Sequence, residues 1–155
     1  MRLEELNFVD NRKGVCFANP LPGFGFDAEA IEDIALAIRD HSFSRGAVPE
    51  RPLGQALQDA DRLEALGALG VFRVVSTGTR MGSRYFDPED PWAERRPLDD
   101  RANEVDHFFA KLLRLPGTMN TRAGRDEAER RARFLEEFLE QLGSELGRPV
   151  HRRRD

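Results

Sequence analysis

The chain has 155 residues, of which 39% are hydrophobic and 34% charged, a composition typical of one folded domain and not of a disordered chain. Its 24 basic and 28 acidic residues give a formal net charge of -4, which argues against a general nucleic-acid binder, and no apolar run is long enough to span a bilayer. The single cysteine, Cys16, excludes an internal disulfide framework and suits a reducing compartment. We therefore expect a cytoplasmic protein that binds neither nucleic acid nor membranes.

The N-terminal segment, residues 1–26, contains several turn-forming residues and little periodicity, so it is predicted to be irregular. A first helix is predicted to begin after Asp27, whose carboxylate can accept hydrogen bonds from the unpaired amides of the first turn, and to end near His41. Its apolar side chains recur with helical spacing at Ile31, Ile34, Ala35 and Ile38.

The same periodicity predicts a second helix from Leu53 to about Val75. The apolar positions expected to face inward are Leu53, Leu57, Ala60, Leu63, Gly67, Val71 and Val74. Gly67 and Gly70 lie three residues apart near this face, and they indicate either a close approach of another helix or a bend.

A long segment, residues 76–99, is rich in glycine, proline and charge and is predicted to be an irregular loop. Three aromatic residues favour partial order in it: Tyr85, Phe86 and Trp92. A third helix is predicted from Asp99 or Asp100 to just before Pro116, and a fourth, the longest, from about Thr121 to Leu146. With a solvated basic tail at residues 148–155 and no convincing strand, the predicted fold class is all-α.

Three acidic residues lie close together on the second predicted helix: Asp59, Asp61 and Glu64. At about 100° per residue, the side chains of Asp61 and Glu64 are about 60° apart, while Asp59 lies on the opposite flank of the apolar stripe. A carboxylate beside a buried stripe needs a metal, an arginine or backbone donors, because burying an unpaired charge is costly. The spacing alone leaves all three partners open.

Several short motifs occur in order along residues 27–146. They are His41-Ser-Phe-Ser44, Asp59-Ala-Asp-Arg-Leu63 with Glu-Ala-Leu-Gly-Ala-Leu-Gly70 after it, Tyr85-Phe-Asp-Pro88, Asp106-His-Phe108, Lys111-Leu-Leu113, Met119-Asn-Thr121 and Arg133-Phe-Leu-Glu-Glu-Phe-Leu139. Taken together, this ordered set resembles the HD-domain metal-dependent phosphohydrolases, and in particular the small bacterial HD hydrolases.

The resemblance implies an HD-like helical bundle over residues 27–147 that binds a divalent metal such as Mn²⁺ or Mg²⁺. In that family the four ligands are an early His, an adjacent His-Asp pair and a later Asp, and the metal activates a water that attacks a phosphate, commonly of a nucleotide. By this resemblance Asp61 is the catalytic metal ligand, and Asp59 is the second candidate. His41 lies where some branches place an extra histidine that binds a second metal or a phosphate.

The chain departs from the family at the remaining ligands. Its three histidines are His41, His107 and His151; none is followed by Asp, and none precedes position 41. The early His and the His-Asp pair therefore have no counterpart, and a site with so few ligands is expected to bind metal weakly. We expect impaired catalysis in a chain that is either N-terminally shortened or degenerate.

A shortened bundle is expected to leave apolar helix faces uncovered. At about 25 cal/mol per Å², a few hundred Å² of lost burial amounts to several kcal/mol, which is comparable to the net stability of a domain. We expect the chain to recover this by forming a homodimer or by folding its N-terminal apolar residues over the gap. Those residues are Phe8, Val9, Val15, Phe17 and Leu21.

Further candidates for phosphate contacts are Arg80 and Arg84 in the predicted loop and His107 on the third helix. The alternatives are a solvated loop for the two arginines and a partly buried structural role for His107. Two functions therefore remain open. The first is an HD protein related to hydrolases of nucleotides or other phosphate esters, and the second is a non-catalytic helical scaffold or self-association protein.

Overall fold

The computed structural model describes residues 21–41 and 46–150, and the chain divides into two compact units, Met1–Asp61 and Arg62–Asp155. The described residues form five α-helices and no strand, which confirms the predicted all-α class. These are α1 (Ala28–Asp40), α2 (Pro52–Leu63), α3 (Gly67–Met81), α4 (Glu104–Ala110) and α5 (Arg122–Leu146). No helix within the described ranges is both long and apolar enough to cross a membrane.

Some expectations fall outside the described residues. These concern Cys16, the fold-back of Phe8, Val9, Val15, Phe17 and the side chain of Leu21, most of the irregular segment 1–26, the Ser-Phe-Ser stretch after His41 and the last residues of the tail, 151–155. The domain limits expected at residues 27 and 147 stay predictions.

In the unit Met1–Asp61, α1 begins as predicted. The carboxylate of Asp27 accepts a hydrogen bond from the backbone N–H of Ala30 at 2.8 Å, which satisfies one of the unpaired amides of the first turn. The buried residues of α1 are Ile31, Ala35 and Ala37. The apolar spacing and the cap residue therefore placed this helix within one residue of its observed ends.

The face that α2 turns inward differs from the prediction. Leu53 and Leu57 were expected to be buried, but both are exposed, and Gly54 and Gln58 are buried instead. The side-chain amide of Gln58 donates hydrogen bonds of 2.9 Å to the carbonyls of Asp40 and Ala47. Because both of these bonds are made, a polar residue can occupy the inward position at little cost.

The single helix predicted from Leu53 to Val75 is also wrong, because the chain turns between α2 and α3. Gly67 begins α3 with a φ of +69°, a left-handed conformation that disfavours any residue with a Cβ. A Cβ at Gly70 would collide with the backbone carbonyl of Ala65. The two glycines thus mark a bend, which is one of the two alternatives that the sequence predicts for them; the other is a close approach of another helix.

Helix α3 continues six residues beyond the predicted end. It stops at Gly82, which is left-handed at a φ of +76°, and the N–H of Ser83 donates to the carbonyl of Gly78 at 3.0 Å. Arg80, expected in the loop, therefore lies in the last turn of α3. The periodicity was lost at Ser76 because the last turns of α3 are polar and largely exposed.

The third predicted helix is shorter than expected. Residues 100–102 form a turn, α4 covers only Glu104–Ala110, and a 3-10 helix follows at Leu112–Thr118 with Pro116 inside it. Helix α5 agrees with its prediction: the hydroxyl of Thr121 accepts from the N–H of Gly124 at 2.9 Å, and Gly147 ends the helix at a φ of +64°.

One apolar core holds the unit Arg62–Asp155 together. Its buried members are Leu66, Trp92, Val105, Phe108, Leu112, Leu115, Met119, Ala128, Leu135 and Leu139. Trp92 ties the long loop to this core, because its ring is buried and its indole N–H donates to the carbonyl of Arg148 at 2.9 Å. The predicted partial order of the loop is therefore confirmed at Trp92, whereas Tyr85 is exposed.

Candidate functional site

A groove of about 490 Å³ lies between α3 and α4 in the unit Arg62–Asp155. Its charged lining residues come from both helices and from the turn before α4. They are Arg73, Asp100, Arg101, Glu104, His107 and Lys111. The small and apolar lining residues are Ala65, Gly70, Val74, Gly78, Met81 and Leu112. The groove thus combines apolar surface, which suits a ring, with several cationic groups, which suit an anion.

Three of the charged residues share one face of α4 and of the residue that follows it. Glu104 and His107 lie one helical turn apart, and Lys111 comes four residues later, directly after the end of α4. Seven residues of helix rise about 10 Å, so this row extends over about 10 Å of the groove. The sequence spacing of 3 and 4 residues therefore places an acid, an imidazole and an amine along one line.

Contacts with carboxylates hold two of the groove side chains. The Nδ1 atom of His107 lies 3.0 Å from Oδ2 of Asp100, and Nη1 of Arg73 lies 3.1 Å from Oε2 of Glu64. Because Asp100 engages Nδ1, the other ring nitrogen of His107, Nε2, is the one that can contact a ligand. Arg101 and Lys111 add two further exposed cations.

Glu104 is the buried carboxyl of the groove. The residue is only 5% exposed, and the Oε1 atom of its carboxyl group is buried without a hydrogen-bond partner. Burial raises the pKa of the Glu104 carboxyl above its usual value, because removal from water disfavours the charged form. The carboxyl lies against the backbone of Gly78, where a Cβ would collide with it.

The start of α4 is fixed by a buried ion pair and by backbone bonds. Asp106 is fully buried and accepts hydrogen bonds from Nη1 and Nη2 of Arg96 at 2.5 and 2.9 Å, and from the N–H of Asp99 at 2.7 Å. The hydrogen bonds to Asp106 raise the pKa of Arg96. The backbone N–H of Glu104 donates to the carbonyl of Arg84 at 2.8 Å. The first turn of α4 is therefore bound both to the end of the long loop, through Asp106, and to the segment that follows α3, through Glu104.

The residues predicted as metal ligands lie in the other unit, Met1–Asp61. Asp59 is buried and Asp61 is exposed; two positions apart on α2, their side chains point in different directions. His41 follows α1, and its Nδ1 atom lies 2.6 Å from the carbonyl oxygen of Ile38.

We tested whether the described residues fit the divalent metal, Mn²⁺ or Mg²⁺, that the HD resemblance implies. Over residues 21–41 and 46–150, no three histidine, cysteine or carboxylate side chains are grouped so that they could hold an ion. A divalent metal needs several such donors at one point. The described part of the chain therefore does not fit this metal.

Of the three residues predicted to contact phosphate, only His107 lines the groove. The side chains of Arg80 and Arg84 are exposed and belong to residues outside the groove lining, and the backbone of Arg84 pairs with Asn103 in an isolated bridge. Arg73, Arg101 and Glu104 were missed by the sequence reasoning. Lys111 was noted only as part of a family motif. A helical wheel drawn through the third helix would have shown that Glu104, His107 and Lys111 lie on one face.

The comparisons with known proteins agree with this fold. No protein-family model matches the chain. It is 36% identical over 128 residues to the uncharacterized protein YpgQ of Bacillus subtilis. This match covers 79% of this chain and 56% of YpgQ. The chain therefore spans little more than half the length of this curated relative.

Two solved structures are similar over most of the chain. One is Bacillus subtilis YpgQ in complex with ADP, which is 29% identical, has a TM-score of 0.66 and matches 91% of this chain and 68% of that one. The other is an HD-superfamily hydrolase from Bacillus thuringiensis, which is 29% identical with a TM-score of 0.69, over 92% of this chain and 69% of that one. In sequence motifs and in fold, the chain belongs to the HD-domain-like superfamily.

Proposed function

We propose that the chain binds a nucleotide or another phosphorylated small molecule in the groove between α3 and α4, and that metal-dependent hydrolysis of this ligand is impaired. The observation that supports the binding site is the convergence of Arg101, His107 and Lys111 on one groove with apolar lining. Arginine and lysine form strong, charge-assisted hydrogen bonds to phosphate oxygens. An aromatic base can lie on the apolar lining residues.

The nature of the ligand is supported by a relative. The YpgQ structure that matches most of this chain contains ADP. ADP offers two phosphates for the cationic side chains and one flat ring for the apolar surface, which are the two features that the groove combines. We therefore infer a nucleoside phosphate as the preferred ligand.

Impaired hydrolysis is supported by the donor set. The family chemistry needs four metal ligands, whereas the sequence offers Asp61 and Asp59 as candidates for one of them and has no His-Asp pair. His41 would serve at most as an additional imidazole. Binding through arginine and lysine side chains does not require these ligands, so binding can persist where turnover is lost.

Binding is tested by titrating the full chain with ADP in a calorimeter. A hydrogen bond to a charged group is worth about 1.5–3 kcal/mol, so Arg101→Ala and Lys111→Ala should each weaken ADP binding by about tenfold or more. Arg122→Ala is the matched control, because this arginine side chain is 95% exposed on α5 and lies outside the groove. If all three variants bind ADP as the unsubstituted chain does, the groove is not the site.

Hydrolysis is tested with a panel of nucleotides and added Mn²⁺ or Mg²⁺, with phosphate release as the readout. We expect no turnover above the background without protein. Metal-dependent turnover that Asp61→Ala, Asp59→Ala or His41→Ala abolishes would contradict the proposed impairment and would establish the catalytic roles predicted for these residues.

The alternative function, a non-catalytic scaffold that self-associates, is favoured by an exposed apolar row on α3. Leu69 and Phe72 are 64% and 74% exposed, and Val75 lies on the same side of the helix. A second copy of the chain is the occupant that this alternative requires. Sedimentation should then show a dimer at micromolar concentration that Phe72→Ser dissociates, whereas a monomer at that concentration would exclude it.

A further inference from the structure

The groove contains one group that phosphate binding does not use. Glu104 is 5% exposed, its Oε1 atom has no hydrogen-bond partner, and the residue lines the groove. A buried carboxyl without a partner destabilises a fold, and in native proteins such a group usually meets a water, an ion or a ligand. The Oε1 atom of Glu104 therefore has no hydrogen-bond partner among the described residues.

The neighbouring helix provides the space for this carboxyl. Gly78 of α3 has no Cβ, and any Cβ placed there would overlap Oε1 and Cδ of Glu104. The carboxyl consequently lies on bare backbone, where a larger residue would displace it. The pair of Gly78 and Glu104 is thus a built feature of the wall of the groove.

The charges around Glu104 limit what its partner can be. The other charged lining residues include three cations, Arg73, Arg101 and Lys111, and a phosphorylated ligand brings negative charge to them. A ligand of this kind reaches a carboxyl favourably only through a neutral hydrogen-bond donor, an amino group or a hydroxyl group. Glu104 and Lys111 are seven residues apart, about 10 Å along a helix, so the donor must lie at some distance from the phosphate.

We propose that Glu104 is a specificity-determining residue of the groove, which accepts a hydrogen bond from an amino or hydroxyl group of the ligand while Lys111 and Arg101 hold its phosphate. This rests on the function proposed above. The ligand class is a nucleoside phosphate, whose base and ribose carry such donors well away from the phosphates. Pyrophosphate has the same anionic group but no such donor and is too short to reach both ends of the row.

The experiment compares ADP with inorganic pyrophosphate as probes of the full chain. The substitution Glu104→Gln retains the shape of the side chain but replaces the charged carboxylate acceptor by a neutral amide. ADP binding should weaken by about tenfold or more, while pyrophosphate binding stays unchanged or becomes tighter because a negative charge has been removed. Glu137→Gln, on an exposed face of α5, is the matched control and should change neither affinity.

A second variant acts on the same carboxyl without changing any charge. Gly78→Ala places a methyl group where the carboxyl lies, and it should also weaken ADP selectively. Thermal unfolding of the ligand-free proteins provides a further readout, because Glu104→Gln removes a buried ionisable group and should leave Tm unchanged or raise it. A lower Tm together with equal losses for both probes would indicate a merely structural role and overturn the proposal.

The failures of the two proposals can be told apart. If the unsubstituted chain binds ADP and pyrophosphate, and Glu104→Gln changes both affinities equally or neither, the role of Glu104 is refuted and phosphate binding in the groove stands. If the unsubstituted chain binds neither probe, the proposed function is refuted and the role of Glu104 with it.

Discussion

The buried pair of Asp106 and Arg96 should dominate the stability of the long loop and of the start of α4. Asp106 is fully buried and its carboxylate accepts three hydrogen bonds, two from Arg96 and one from the N–H of Asp99. Removing one member of a buried pair costs about 3–5 kcal/mol, since the other charge is left without compensation. Because the Arg96 side chain is 20% exposed and can recover some hydration, we expect Asp106→Ala to cost about 3 kcal/mol.

The assay is urea unfolding at neutral pH, followed by the fluorescence of Trp92, the single tryptophan of the chain, which is buried in the same loop. Asp126→Ala is the matched control, because Asp126 is 69% exposed and lies 3.8 Å from Arg122; such a pair is worth less than about 1 kcal/mol. Arg96→Ala and Asp106→Ala combined should cost less than the sum of the two single losses, because both substitutions remove the same ion pair. The reasoning is refuted if Asp106→Ala costs no more than Asp126→Ala.

Three smaller effects follow from single observations. Gly67→Ala should cost about 1–2 kcal/mol in urea unfolding, because Gly67 has a φ of +69°; an unchanged midpoint would contradict this. Thr121→Ala removes the hydroxyl that accepts from the N–H of Gly124, and should cost about 1 kcal/mol in the same assay; Thr121→Ser, which keeps the hydroxyl, should cost much less. Side-chain hydrogen bonds from Arg130 and Arg131 lower the pKa of Glu127 from 4.5 to about 2, so its contribution to stability is complete above pH 4.5 and is lost as the pH falls towards 2. Glu127→Gln should therefore flatten the decline in stability between pH 4.5 and 2, and an unchanged acid profile would contradict that role.

Helix ends with a local chemical cause could be read from the sequence. Asp27 and Thr121 accept hydrogen bonds from the first turns of α1 and α5, and Gly147 ends α5 in a left-handed conformation. These interactions involve residues only a few positions apart, so their residue types are sufficient to predict them. The fold class follows in the same way, since it depends on the periodicity of the longest helices.

The interruption between α2 and α3 could be predicted only in part: Gly67 and Gly70 allowed a bend as one of two alternatives, but the apolar spacing continues through it and predicted a single helix. Leu63, Gly67, Val71 and Val74 keep a helical period although residues 64–66 are not helical. The inward position of Gln58 was missed for a different reason: its side-chain amide bonds to carbonyls 18 and 11 residues away. Interactions over such distances have no signature in the local pattern.

The groove could be predicted only in part. His107 was identified from its residue type, but Gly78 and Glu104 meet through the packing of α3 on α4, and they are 26 positions apart in the sequence. Neither residue type suggests a site by itself, because glycines inside helices and glutamates in first turns are both common. Only the lack of a partner for the buried Oε1 atom of Glu104 distinguishes this residue, and that is a property of the folded chain.

The ligand binding that we propose and the metal-dependent chemistry of the family depend on different residues of this chain. All of the groove residues lie in the unit Arg62–Asp155, whereas His41, Asp59 and Asp61 lie in Met1–Asp61. The phosphate contacts that we propose come from side chains and not from an ion, so this mode of binding does not depend on the metal ligands that turnover would need. It follows that ADP binding alone would not establish hydrolysis, and that absent hydrolysis would not argue against the groove. The substitutions Lys111→Ala and Asp61→Ala therefore address different questions: the first tests binding in the groove, and the second tests metal-dependent turnover.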